Sequence, residues 1–167
     1  AGLHFHEPEI IAKTGVTSSE LVENILHTLL NEQYDFVTQL IGVNNQYRGL
    51  SEEEFKIDFE FLLKKAIRFS GEYANKVIVL SIPDWGVTPF AAKKDGKKIS
   101  EEIDGFNAIC ESAAKENKVH YINITEETRK AKKDNSLLTA DHLHYSGKEH
   151  AVWAAKLADI IKQQTRK

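Results

Sequence analysis

Apolar positions along this chain fall into two rhythms. Short β-branched runs alternate with longer stretches in which apolar residues return every three or four positions. The first run is brief, over 9–13, where Ile10, Ile11 and Ala12 read as a short strand that Gly15 closes. Thr17 and Glu20 then have the spacing of a capping box, in which the hydroxyl takes a backbone N–H and the carboxylate reaches back. Leu21, Val22, Ile25, Leu26, Leu29 and Leu30 give the helix that follows one apolar face. Residues 36–43 predict a buried parallel strand, which runs out into the polar turn Gly42-Val43-Asn44-Asn45-Gln46. Ser51 and Glu54 predict a second capping box. Phe55, Phe59, Leu62, Leu63, Ala66, Ile67 and Phe69 recur at helical spacing after it, and Gly71 marks the helix end. Residues 76–82 are the clearest strand, ended by Pro83-Asp84-Trp85-Gly86. A loop rich in Lys, Asp and Gly runs from there to about Ile99, with the composition of a surface loop or of a lid over a cleft. Ser100 is read as the cap of a helix reaching about Asn117, and 119–124 as the last strand. A polar stretch, 125–139, leads to a third capping box, Ser146 with Glu149, and a terminal helix over 151–161.

Strand followed by helix, repeated, predicts a parallel sheet with helices on both faces. Functional loops in such sheets lie at the carboxyl ends of the strands. Gly15, Asn44, Asp84 and His144 all follow predicted strands and so gather on one edge. The 167 residues make one domain by length, with no internal repeat, low-complexity tract or linker.

Charge and composition narrow the partners. A net charge of −3 gives no pull toward nucleic acid or an anionic membrane. The lysines cluster in loops (Lys93, Lys94, Lys97, Lys98; Lys130, Lys132, Lys133), which fits a solvated face. No stretch approaches the ~20 consecutive apolar residues of a membrane span. The one cysteine, Cys110, lies among Ile103, Phe106, Ile109 and Ala113 at helical spacing and reads as a buried thiol. A cytoplasmic compartment is the expectation, with a removed leader as the alternative.

Asp141-His142-Leu143-His144, just before the last helix, carries the chemistry. An acid and an imidazole three residues apart let the carboxylate hold one ring nitrogen while the other faces a cleft, as a hydroxyl nucleophile's base requires. A surface cap on the last helix is the competing reading of the same two residues. His142, His144 and His150 raise a metal site, but no carboxylate or cysteine stands at a diagnostic spacing, and no metal is expected. Asn44, at the end of a strand, can donate its amide to a developing oxyanion or serve as a turn residue. Gly15 can expose its N–H in the same way or be a plain turn glycine.

Taken in order, Gly15 in Ala12-Lys13-Thr14-Gly15, the stretch Gly42-Val43-Asn44-Asn45, and Asp141-x-x-His144 resemble the second, third and fifth blocks of the SGNH (GDSL-type) hydrolases. Ile82-Pro83-Asp84-Trp85-Gly86 resembles a stretch common in bacterial members. The usual third block is Gly-x-Asn-Asp, and Asn45 stands in its last place. The resemblance spans essentially the whole chain. It implies a three-layer α/β/α, flavodoxin-like fold and cofactor-free hydrolysis of small acyl esters. By position, His144 is the general base, Asp141 orients it, and Gly15 and Asn44 donate to the oxyanion. A non-catalytic descendant binding acyl or glycan ligands is the alternative, and a flavodoxin-like binding or signalling domain is a third.

The resemblance also implies a serine in a Gly-Asp-Ser motif on a first, central strand, and no such motif occurs in this sequence. Ser18 and Ser19 fall in a first helical turn, Ser81 inside a strand, and Ser146 at a helix cap. The expectation is a single domain over 1–167 that is N-terminally incomplete. Its first central strand and its serine would then come from a preceding segment, cleaved, disordered or omitted, or from a swapped second copy.

Overall fold

The computed structural model describes residues 2–165. In chain order the regular elements are α1 (Ser18–His27), β1 (Val37–Gln39), α2 (Val43–Tyr47), α3 (Glu52–Phe69), β2 (Val77–Leu80), α4 (Gly96–Glu116), β3 (His120–Ile122), α5 (Thr125–Thr128) and α6 (Gly147–Thr165). The three strands form one parallel sheet in the order β1-β2-β3, with Val37 opposite Val77 and Ile78 opposite His120.

Side chains of β2 alternate between two cores, as the pleat demands. Val77 and Val79 join Phe55, Phe59 and Leu63 of α3 and Ile103, Phe106 and Cys110 of α4. Ile78 and Leu80 join Trp153 and Ile161 of α6, with Ile124, Leu137 and Tyr145. Helices therefore cover both faces of the sheet, and the three-layer α/β/α arrangement follows from a strand that is apolar on both sides. Burial pushes the pKa of the Cys110 thiol well above its ordinary value.

Several expected boundaries move. The Thr17–Glu20 capping box forms in both directions, and Ser51 accepts from Glu54 N at 3.1 Å. The predicted strand over 9–13 does not form: this stretch is irregular and Ile10 is 73% exposed. A strand needs a hydrogen-bonded neighbour, and the sheet ends at β1. For the same reason β1 is only three residues long and half-buried rather than fully buried. The turn after it coils into α2, with Asn45 and Gln46 buried. The helix assigned to Ser100 starts at Gly96, because Asp95 caps it by accepting from Lys98 N at 3.0 Å. The third capping box does not form. Ser146 Oγ donates to Ser136 O at 2.9 Å, and the buried Glu149 accepts from Trp153 Nε1 at 3.0 Å.

Candidate active site

Asp141 and His144 meet without help from the rest of the fold. Asp141 Oδ2 lies 2.6 Å from His144 Nδ1. Its other oxygen accepts from Thr139 Oγ1 at 2.6 Å and from the backbone N–H groups of Leu143 and His144 at 2.9 and 3.0 Å. These donors, Thr139 first and His144 next, hold the Asp141 carboxyl well below the usual carboxylate range. A fixed anion on Nδ1 selects the tautomer that leaves Nε2 with a lone pair. The turn needs His142 at a φ of 58°, a left-handed residue in the loop between acid and base.

Gly15 and Asn44 come from opposite ends of the first third of the chain and are tied together. Asn44 Nδ2 donates to Val16 O at 3.0 Å, and Arg48 Nη2 donates to Gly15 O at 2.6 Å. Each amide nitrogen carries two hydrogens, so Asn44 keeps one for a ligand. Asn45 fastens the same junction from below. Its Oδ1 accepts from Ser18 N at 2.9 Å and its Nδ2 donates to Ser18 Oγ at 2.7 Å, while Ser18 Oγ donates to Asp58 Oδ2 at 2.7 Å. An amide that both accepts and donates is what this buried position uses, which gives Asn45 its physical role. Gly15 takes a φ of 79° here.

Asn44 and His144 line one cavity of about 340 Å³, walled by Tyr47, Pro83, Trp85, Phe90 and Trp153. A second, smaller cleft of about 220 Å³ lies between Ile11–Lys13 and the end of β1, and Asn44 borders it too. Of the four expected site residues, Asp141 is bonded to His144, His144 and Asn44 line one cavity, and Asn44 is bonded to Val16, the neighbour of Gly15, which lies outside that cavity's lining. No hydrogen bond joins a serine to His144 among the described residues. Ser81 is fully buried and its hydroxyl accepts from Ile124 N, Thr125 N and Thr125 Oγ1. No group of three or more His, Cys, Asp or Glu is placed to hold a metal ion among them.

The chain as a whole has matches among known proteins. The family model of the GDSL-like lipase/acylhydrolases aligns with residues 3–152. The chain belongs to that family.

Solved structures share the GDSL-like fold. An acetylxylan esterase from Geobacillus stearothermophilus matches with a TM-score of 0.68 at 16% identity, over 88% of this chain and 68% of that one. A lipase/acylhydrolase from Enterococcus faecalis matches with a TM-score of 0.66 at 18% identity, over 89% and 72%. A GDSL-like lipase from Bacteroides thetaiotaomicron gives 0.66 at 20% identity, over 90% and 73%. At these identities the likeness is one of fold. No curated protein matches the chain.

Sequence reasoning missed part of what surrounds this candidate site. Tyr47 and Trp153 line the cavity from helices whose spacing marks them only as core or surface. The segment after β2, read as a loop or lid, is built and held. Two 3₁₀ turns, Trp85–Val87 and Pro89–Ala91, bury Trp85 and Ala91. Trp85 Nε1 donates to Gln46 Oε1 at 2.6 Å, and the rings of Trp85 and Tyr47 pack at a 60° tilt with centroids 5.3 Å apart. Pro83, Trp85 and Phe90 of this segment line the cavity. Among the described residues, no helix is long and apolar enough to cross a membrane.

Proposed function

We propose that this domain supplies the base, its orienting acid and the oxyanion donors of a serine hydrolase that cleaves small acyl esters. A serine hydroxyl attacks the ester carbonyl while His144 Nε2 takes its proton. The negative charge that develops on the carbonyl oxygen is met by Gly15 N–H and the remaining hydrogen of Asn44 Nδ2. Collapse of the tetrahedral intermediate expels the alcohol, which receives the proton from His144. Water then attacks the acyl-serine with His144 again as base, releasing the acid and restoring the serine. The observation that carries this reading is the 2.6 Å contact of Asp141 Oδ2 with His144 Nδ1, in a residue that lines the same cavity as Asn44.

The serine is proposed to arrive on a further parallel strand that adds to the open edge of β1. Three features support this. β1 ends the sheet. The cleft between Ile11–Lys13 and Leu40–Asn44 flanks that edge. The side-chain amide nitrogen of Gln39, on β1 itself, is buried without a hydrogen-bond partner among the described residues, a cost that a further polar group packed against β1 would relieve. A preceding segment of the gene product is the first source, and a swapped second copy the other. The apolar cavity walls and the esterase and lipase neighbours fit a carboxylic ester as substrate. With no serine bonded to His144, a non-catalytic acyl- or glycan-binding domain is the second reading.

The test is turnover of p-nitrophenyl acetate by the full gene product and by its His144→Ala variant. The proposal predicts hydrolysis that this variant lowers at least a thousandfold, in line with the loss of a triad base. Unchanged turnover in His144→Ala would overturn it.

A further inference from the structure

Tyr145 follows the proposed base directly and borders the same cavity, yet it is only 6% exposed and packs into the core. Its phenol donates to the backbone carbonyl of Asp84 at 2.6 Å and lies 3.3 Å from Thr128 O. Burial raises the phenol's pKa well above its ordinary value, so the group stays a donor. The ring packs against Trp153 at 5.8 Å. Asp84 is itself fully buried. One of its carboxylate oxygens accepts from Gly86 N at 2.8 Å and the other from Arg129 Nε at 2.8 Å, while its own N–H donates to Thr128 Oγ1 at 3.1 Å. Arg129 continues outward to Asp104 on α4 at 2.7 Å and to Glu126 at 3.1 Å. Burial lowers the guanidinium's pKa, and its bonds to Asp84 and Asp104 more than offset this, so it remains a cation.

The bonds around Asp141 go to Thr139, Leu143 and His144, all within one turn. They shape the turn but leave its place on the sheet undetermined. The bonds of Ser146 lead to Ser136 and Leu137, on the preceding segment. Two bonds reach across to the loop after β2: Tyr145 Oη to Asp84 O, and Phe90 N to His142 O at 3.3 Å. That loop carries Pro83, Trp85 and Phe90 of the cavity wall.

We propose that Tyr145 is the positioning residue for His144, and that the Asp84–Arg129 pair is the fixed post to which it is tied. The base and the aromatic wall are thereby held in register as one body. This rests on the reading of His144 as the general base. Misplacing a base by about 1 Å costs up to ~100-fold in rate, so the loss of one of two ties is expected to cost about tenfold.

The test uses the full gene product with p-nitrophenyl acetate as probe. Tyr145→Phe removes one oxygen and keeps the ring on Trp153. It is expected to lower kcat about tenfold, with KM within about twofold and the acid limb of the pH profile in place. Arg129→Lys, which leaves Tyr145 whole but cannot span Asp84 and Asp104 together, is expected to lower kcat in the same way. The double variant should lose less than the product of the two. Wild-type kcat in both variants, even with a lowered Tm, would overturn the proposal, because the contacts would then serve stability alone. Wild-type turnover in His144→Ala would instead remove the base assignment on which the proposal rests.

Discussion

Asp141 spends one oxygen on its own turn and the other on an imidazole, and this division makes the pair pre-organised. Three donors converge on Oδ1 and one ring nitrogen on Oδ2. Because these bonds depress its folded pKa, the stabilisation of the turn is complete above the unfolded carboxylate value of ~3.9 and fades as pH falls through the lower folded one. From about pH 4 upward the carboxylate stays ionised. Titration of Asp141 is therefore expected to contribute nothing to the pH dependence of kcat/KM above about pH 4. Asp141→Asn keeps an acceptor for the turn but offers an N–H to Nδ1, which forces the wrong tautomer. A drop in kcat of about a thousandfold or more is expected, with an unchanged circular dichroism spectrum. The acid–base pair was legible in the sequence because three residues separate its members. Tyr145 was not, because its partner Asp84 lies 61 positions away.

At the scale of elements, local chemistry was readable and pairing was not. Thr17 and Ser51 cap where hydroxyl and carboxylate spacing put them. Asp95 takes the cap of α4 from Ser100 because the turn at Gly96 brings its carboxylate to Lys98 N. The run at 9–13 has a strand's composition, yet strand formation depends on a neighbour that composition cannot supply. The bend between β1 and α2 is the element-scale hinge of the site. Gly42 has a φ of 127°, and a Cβ there would lie 2.5 Å from Ile82 Cδ1 and 2.9 Å from Phe55 Cε2. Gly42→Ala is therefore expected to destabilise the fold by about 1–3 kcal/mol, read as a lower urea midpoint at unchanged slope. A wild-type midpoint would show that the β1–α2 bend is softer than this packing implies.

Across the whole molecule, the parallel sheet with its two helical layers followed from the alternation of elements. The division of the core followed from β2, whose four residues are all buried. The strand order already put Gly15, Asn44 and His144 on one edge; what stayed hidden was the cavity that Asn44 and His144 share, whose walls include Tyr47, Trp85 and Trp153, far apart in the sequence. The apolar face predicted for α1 is incompletely covered, with Leu26 51% exposed and Leu29, beyond the helix end, 98% exposed. The open edge and the unpartnered side-chain amide of Gln39 both belong to β1, among the described residues. The account therefore joins a built half-site to an added strand bearing the nucleophile.

Labelling of the purified full gene product with a fluorophosphonate, followed by peptide mapping of the adduct, tests that joint claim most directly. The account predicts a single modified serine in a segment outside these 167 residues, with labelling lost in His144→Ala. An adduct on one of the chain's own serines, such as Ser81 or Ser146, would contradict the added strand. Labelling that persists in His144→Ala would contradict the assigned base, and a protein that neither labels nor hydrolyses esters would contradict the hydrolase reading.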